Sequence, residues 1–363
     1  MKVEILRTPG IGLYREAILK IGEKRLELPL KVIEHKSGVR NSPCKIGEKE
    51  NKLSKKYIVE YRVHITSKHL HKYLNEDRGA IYEIFKDFNL LENYATIVTP
   101  YFVTDEVRKI SEMEIEGMAS IYSTFLKNHR FRNNILMVPA LIQCMGRKFS
   151  PEIFRNYISR FLEKLRENYE VKNPNLIGYV FNAIPLEKLK EMVIQYLRGE
   201  VFHYAVDLSG GTPFSYYNMS FIQDLLYLLR NIEKEIGESI YLHFLNLRAR
   251  GKKQTFVAKD FLSVFVSACT FSFDMLPRGG FPEGRQEEYK RFEKRDYLYY
   301  RIRSRGKKEN EIKLENSLAM NKELFELRKL DEKELVKYVN EKKGYKQVSE
   351  EIEKIKRSAK QRR

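Results

Sequence analysis

Short runs of aliphatic, β-branched and aromatic residues recur along the chain, and between the later runs the apolar positions fall at three- and four-residue spacing. The first pattern is that of buried strands, the second that of amphipathic helices packed on one face. Eight runs carry the strand pattern: LPLKVIEH (28–35), YIVEYRVHI (57–65), YATIVTP (94–100), ILMVPALIQ (135–143), LIGYVFNA (176–183), VFHYAVDL (201–208), IYLHFLN (240–246) and FSFDMLP (271–277). SPEIFRNYISRFLEKLRENYE, PLEKLKEMVIQYLR and MSFIQDLLYLLRNIEKEIG carry the helical one. Alternation of this kind predicts an α/β fold with a parallel sheet covered by helices, and eight units predict a TIM (β/α)8 barrel. The first unit is irregular, because residues 36–56 are a polar stretch rich in Lys and Gly where a helix should stand.

A TIM barrel builds its active site at the C-terminal ends of its strands. Those ends are Glu34 with His35, His64, Thr99, Gln143, Asn182, Asp207, His243 with Asn246, and Asp274. Most could equally serve as turn or capping residues. Asp207 and Asp274 stand apart, each following an apolar run and preceding glycines. In AVDLSGGTP the pair Gly210 and Gly211, next to Ser209, would let a flat ligand or a phosphate approach the backbone, or would make an ordinary turn. Two carboxylates at one barrel mouth can divide the roles of nucleophile and general acid or base.

Composition adds a partner. The 363 residues carry a net charge of +18 with 32% charged residues, which points to an anion, with nucleic acid the leading choice. Cys44, Cys144 and Cys269 are too few and too scattered for a disulfide framework or a short zinc motif, and no run is long and apolar enough to span a bilayer, so a cytoplasmic protein with no membrane contact is expected. His35, His64 and His243 match no short metal motif, and no metal or cofactor is expected.

The stretch FSFDMLPRGG (271–280), with an acid after Phe and then Pro and Arg, resembles the nucleophile motif of the tRNA-guanine transglycosylases and their relatives that insert 7-deazaguanines into DNA. LIGYVFNAIP, VFHYAVDLSGGTP and IYLHFLNLRARG precede it in the order of that family's base-contacting strand, glycine-rich base-binding loop and following strand. LRTPGIGLYREAILKIGEKRLELP is similar to the family's opening, a small antiparallel lid before the first barrel strand. The resemblance implies Asp274 as a nucleophile attacking C1′ of a guanosine, release of guanine, and displacement of the aspartyl ester by an incoming 7-deazaguanine. Gln143, Asn182, Ser209, Gly210 and Gly211 would contact the base, with strand-end capping an equal reading for the two amides. Two departures matter: the family's zinc cysteines are absent, and its D-S-G-G motif is replaced by IVTPYFVTDE, leaving Asp207 or Asp105 as the base, or a chain without activity.

The barrel domain is expected over residues 1–285 and a basic helical extension over 286–363, where 24 Lys or Arg face 16 Asp or Glu. Tyrosines interleaved with basic residues in EEYKRFEKRDYLYYRIRSRGKK suit phosphates and stacking, or a helix packed on the barrel. RARGKK, with Arg248, Arg250, Lys252 and Lys253, and Arg278 beyond it, would hold a nucleic-acid backbone beside the site. The expected partners are DNA, somewhat favoured over tRNA by the missing zinc module, a 7-deazaguanine base, and as an open point a second copy in a homodimer. Two alternatives stay open: a barrel that binds nucleic acid without catalysis, and a barrel enzyme for an anionic small molecule with SGGTP as its phosphate loop.

Overall fold

The computed structural model describes residues 1–75, 79–104, 110–127, 134–143, 150–168, 175–182, 184–251, 253–273, 288–303 and 309–361. Its strands are β1 (Lys2–Arg7), β2 (Glu16–Ile21), β3 (Lys24–Leu28), β4 (Leu30–Lys31), β5 (Ile33–Lys36), β6 (Ile58–Thr66), β7 (Ala95–Thr104), β8 (Asn134–Met137), β9 (Ala140–Gln143), β10 (Leu176–Phe181), β11 (His203–Asp207), β12 (Leu242–Leu247), β13 (Thr255–Val257), β14 (Thr270–Phe273), β15 (Glu288–Glu293) and β16 (Leu298–Arg303). The central sheet runs β4-β14-β12-β11-β10-β8-β7-β6-β5, with β9 also on β7. All of its pairings are parallel. β4 and β5 stand at the two ends of this order yet are separated in the chain only by Val32, so the sheet curls into a nearly closed barrel compatible with a TIM-like barrel. Each of the eight apolar runs contributes to it. β10, β11 and β12 are buried at every position, as parallel strands covered on both faces must be.

The helices form the outer layer. In Leu186–Arg198 the buried residues Leu189, Met192, Val193 and Tyr196 follow the three- and four-residue spacing, and the opposite face is charged. The irregular first unit contains a short helix, Pro43–Lys49, which begins where the Ser42 hydroxyl accepts the Lys45 amide and Pro43 occupies the first turn.

The N-terminal strands β1 to β3 form an antiparallel sheet on the end of the barrel away from the strand C-termini. Met1 donates from its amino group to Asn175 just before β10, and Lys24 donates to the Tyr94 carbonyl just before β7. This sheet therefore closes the barrel floor and is no lid on the mouth.

The chain after β14 departs from the expected helical extension. β15 and β16 make a hairpin that joins β13 in a second antiparallel sheet. The cause lies in the aromatic residues of EYKRFE and LYYRIR, which favour strands: Phe292 and Tyr299 are buried, as is Tyr297 in the turn between the strands, and Phe261 packs 4.9 Å from the Phe292 and Tyr297 rings. Helices do follow, but they cover the barrel. Glu309–Leu327 lies on β4 and on Pro43–Lys49, while Ser349–Gln361 lies on Tyr216–Ile236 and on the turn Phe261–Val266. The boundary expected at residue 285 lies outside the described residues.

One side chain fastens this cover. Asn321 accepts the Lys31 amide at 2.8 Å and donates to the Lys31 carbonyl at 2.7 Å, completing the backbone pairing of β4 where the barrel is seamed. Asn321→Ala should cost about 2 kcal/mol in urea unfolding, because a buried N–H and C=O lose their partners. Asn310→Ala, which removes an exposed bond to the Asn41 carbonyl, should cost less than about 0.5 kcal/mol.

Candidate active site

β6 carries Glu60, Arg62 and His64 at period-two spacing, which turns Glu60 and Arg62 into the barrel. The reach of Arg62 proves the direction, since its partners lie on β12 and β14, neither of which pairs with β6. It donates to Glu60 Oε1 at 2.6 Å and Oε2 at 3.0 Å, to Asn246 Oδ1 and Ser272 Oγ at 2.9 Å, and to the Phe273 carbonyl at 3.0 Å. A buried guanidinium needs this many acceptors. Thr99 adds a hydroxyl to Glu60 Oε1 at 3.2 Å, and His243 Nε2 stands 3.8 Å from Glu60 Oε2. Burial works against the Glu60 charge, but the Arg62 guanidinium and His243 override it and hold this carboxyl well below the usual carboxylate range.

A second buried pair lies beside the first. Lys31 is paired with Glu34 and donates to the Val32 carbonyl at 2.7 Å. Glu34 Oε1 accepts the Phe273 amide at 2.7 Å, and Lys31 Nζ lies 4.0 Å from the Phe273 ring centre. Burial lowers the Lys31 pKa, with Glu34 opposing that shift. Phe273, at the end of β14, is thus held at its N–H by Glu34, at its C=O by Arg62 and at its ring by Lys31.

Asp207, at the end of β11, is buried, and both of its oxygens are engaged. Tyr179 donates to Oδ2 at 2.7 Å and the Ser209 amide to Oδ1 at 2.7 Å, an arrangement that satisfies an ionised carboxylate. Tyr179 is itself fixed by Tyr196, whose hydroxyl donates to the Tyr179 carbonyl at 2.8 Å and accepts its amide at 3.0 Å. Asn182 accepts the Ser209 hydroxyl at 2.7 Å and donates to Asn218 at 2.8 Å, tying the end of β10 to the loop after β11. Tyr101 on β7 is near both groups. Burial raises its pKa, and it lies within electrostatic reach of Arg62, Glu60 and Asp207.

The loop after Asp207 differs from the expected phosphate cradle. Ser209 and Gly210 take positive φ of 52° and 73°, which folds the loop back onto β12, and the Gly210 amide donates to the Asn246 carbonyl at 2.8 Å. The Gly211 amide donates to the Leu208 carbonyl at 2.8 Å, and a Cβ at Gly211 would come 2.5 Å from Asn218 Nδ2. Both N–H groups are occupied, so what this loop offers a ligand is the exposed Ser209 and the half-buried Asn182 side chain.

A basic run begins beside this loop. Arg248 donates its amide to the Gly211 carbonyl at 3.0 Å, which starts the run of Arg248, Arg250 and Lys253 at the mouth. The hairpin braces them, since Arg301 donates from Nε to the Lys253 carbonyl at 3.2 Å. Two surface clefts, of about 550 and 770 Å3, open beside the helix Glu309–Leu327 and contain none of the mouth residues.

Asp105, Lys252, Asp274 and Arg278 lie outside the described residues, as does the Gln143 side chain, although the Gln143 backbone ends β9. His35 bonds Ser42, His64 packs edge-on to Tyr101, and His243 bonds Thr270, so the three histidines occupy separate places. Among the described residues no three His, Cys, Asp or Glu side chains gather as a metal site. No protein-family model and no curated protein matches the chain. Sequence reasoning missed Lys31, Glu60, Arg62 and Tyr179. The signal for two of them was present in YIVEYRVHI, where charges recur every second residue between apolar neighbours.

Arg62→Met should destabilise the protein by about 3 kcal/mol at pH 7, because it strands the buried Glu60 charge. In the native protein the depressed Glu60 pKa contributes stability that is present above the unfolded carboxyl pKa and lost as pH falls below about 4. In the variant the unpaired carboxyl is raised instead, so acid favours its fold. Urea unfolding of both proteins between pH 7 and pH 4 should show the gap narrowing.

Proposed function

We propose that the protein is a base-exchange transglycosylase that replaces guanine in nucleic acid, DNA in preference to tRNA, with a 7-deazaguanine through an aspartyl-glycosyl intermediate. The reading takes the barrel as an eight-stranded TIM barrel, with β4 and β5 as two halves of its first strand and β8 and β9 as two halves of its fourth. The observation that carries it is the convergence, at the C-terminal ends of β10, β11 and β12, of Asn182, Asp207, Ser209 and the Arg248–Arg250 run. β14 pairs with β12 through Leu247 and Phe273, and Asp274 is the next residue of the chain.

In this mechanism the Asp274 carboxylate attacks C1′, the C1′–N9 bond breaks, and guanine leaves after taking a proton at the base. The incoming base loses its N9 proton, attacks C1′ and releases Asp274. Asp207, held ionised by Tyr179 and Ser209, is the described group that can accept the N9 proton of the incoming base or donors on the base edge, while water supplies the proton that the departing guanine takes. Asn182 and Ser209 present the polar groups beside it. The basic run beside the loop supplies charge for phosphates.

One observation favours the second reading, a barrel that binds nucleic acid without catalysis: Thr99, near the position of the family's D-S-G-G acid, spends its hydroxyl on buried Glu60.

Labelled guanine or 7-deazaguanine offered with DNA and with tRNA separates the two. Asp274→Asn should retain nucleic-acid binding, lose the denaturation-resistant adduct, and lower exchange by about a thousandfold or more. Absence of exchange by the native protein on either substrate would remove the enzyme reading. A triple Arg248→Ala, Arg250→Ala, Lys253→Ala variant should bind more weakly and lower the slope of log affinity against log salt by about 2 to 3. An unchanged slope would take the phosphate contacts away from this run.

A further inference from the structure

The tyrosines expected to stack on bases, in the segment after residue 286, are largely spent on packing: Tyr297 and Tyr299 are fully buried, and each phenol donates to a buried acid, Glu323 and Asp260 respectively. Tyr82 stands alone in the open, and two other exposed tyrosines stand side by side. Tyr216 and Tyr217 are exposed over 85% and 84% of their surface, although they are adjacent in the chain and open a 21-residue helix otherwise buried along Phe221, Leu225 and Leu229. Their rings sit edge to face, with centroids 5.5 Å apart and planes at 84°. An exposed aromatic pair forgoes the burial that each ring would gain in the core, and such a pair marks a surface for a partner.

Its place specifies the partner. The helix start is fastened to the Asp207 loop by Asn218, which bonds Asn182 and the Leu208 and Thr212 carbonyls, so the two rings ride on the rim of the mouth. The Ser215 hydroxyl donates to the Thr212 carbonyl and makes no side-chain cap, which leaves the positive end of the helix dipole next to the rings. The same loop accepts the Arg248 amide at Gly211, bringing the basic run to this side. Aromatic faces beside positive charge fit bases and phosphates together, and stacking faces are available only where bases are unpaired.

We propose that Tyr216 and Tyr217 form a stacking platform for an unpaired base flanking the target nucleotide, so that the substrate is nucleic acid in single-stranded or locally opened form. This rests on the nucleic-acid reading above and adds the strand state of the substrate.

The test is anisotropy of a labelled single strand and of a duplex of equal length, over a salt series, with the native protein, the Tyr216→Ala/Tyr217→Ala variant and the Tyr216→Phe/Tyr217→Phe variant. The native protein should prefer the single strand. The alanine variant should lose about tenfold or more on the single strand with the duplex unaffected. Its salt slope should stay native, because stacking releases no counterions. The phenylalanine variant should bind as the native protein does, and all three should share one thermal midpoint, since both rings are solvent-exposed. Equal native affinity for strand and duplex, an alanine variant that binds like the native protein, or a loss matched by a reduced salt slope would each overturn the platform. A native protein that exchanges bases yet is indifferent to the tyrosine changes refutes only this inference, whereas one that binds neither nucleic acid refutes the proposed function with it.

Discussion

A guanidinium inside a barrel has no water to turn to, and the interior is organised around satisfying it. Arg62 spans from β6 to β12 and β14, and its acceptors comprise a carboxylate, an amide oxygen, a hydroxyl and a main-chain carbonyl. Apolar residues of similar volume would fill the same space at no desolvation cost, so stability alone does not call for this arrangement. What it adds is definition. The acceptors lie across the barrel on β12 and β14, so a slip of β6 by one residue against its neighbours β5 and β7 would turn Arg62 away from them and leave the charge unpaired.

The mouth inherits that definition through a short series of contacts. Tyr196 on an outer helix fixes the backbone of Tyr179, Tyr179 fixes Asp207, and the Asp207 loop fixes both the start of the next helix and the basic run after β12. On the other side, Glu34 and Arg62 hold the last described residue of β14 by its backbone. The polar side chains at the strand ends are therefore oriented by buried neighbours, which is the condition for a preorganised site.

The strands were legible because parallel strands covered on both faces are continuous apolar runs, and each of the eight runs marked in the sequence lies in the barrel. Asp207 was legible as an acid at the end of such a run. Glu34 was marked only as a strand end and Lys31 not at all, because the Phe273 amide and ring that they meet come from β14, some 240 positions away, and no local pattern announces a partner at that distance. The glycine pair misled for a related reason: Gly210 and Gly211 suit a ligand loop by composition, while the Asn246 and Leu208 carbonyls that occupy their amides appear only on folding. The hairpin Glu288–Arg303 was obscured by its density of Lys and Arg, although Phe292 and Tyr299 already carried a strand preference.

The Asn321 clamp on β4 has a consequence for biogenesis. Lys31 leaves the ribosome 290 positions ahead of Asn321, its main-chain partner. At roughly 5 to 20 residues per second, elongation alone separates the two by about 15 to 60 seconds. Until β14 emerges, about 240 positions after Lys31, β4 has no strand partner, and the buried lysine and glutamate have no barrel to enter. Vectorial synthesis thus delivers β4 long before β14 and the helix that carries Asn321, and until both emerge its edge is open to self-association unless the exit tunnel or chaperones shield it.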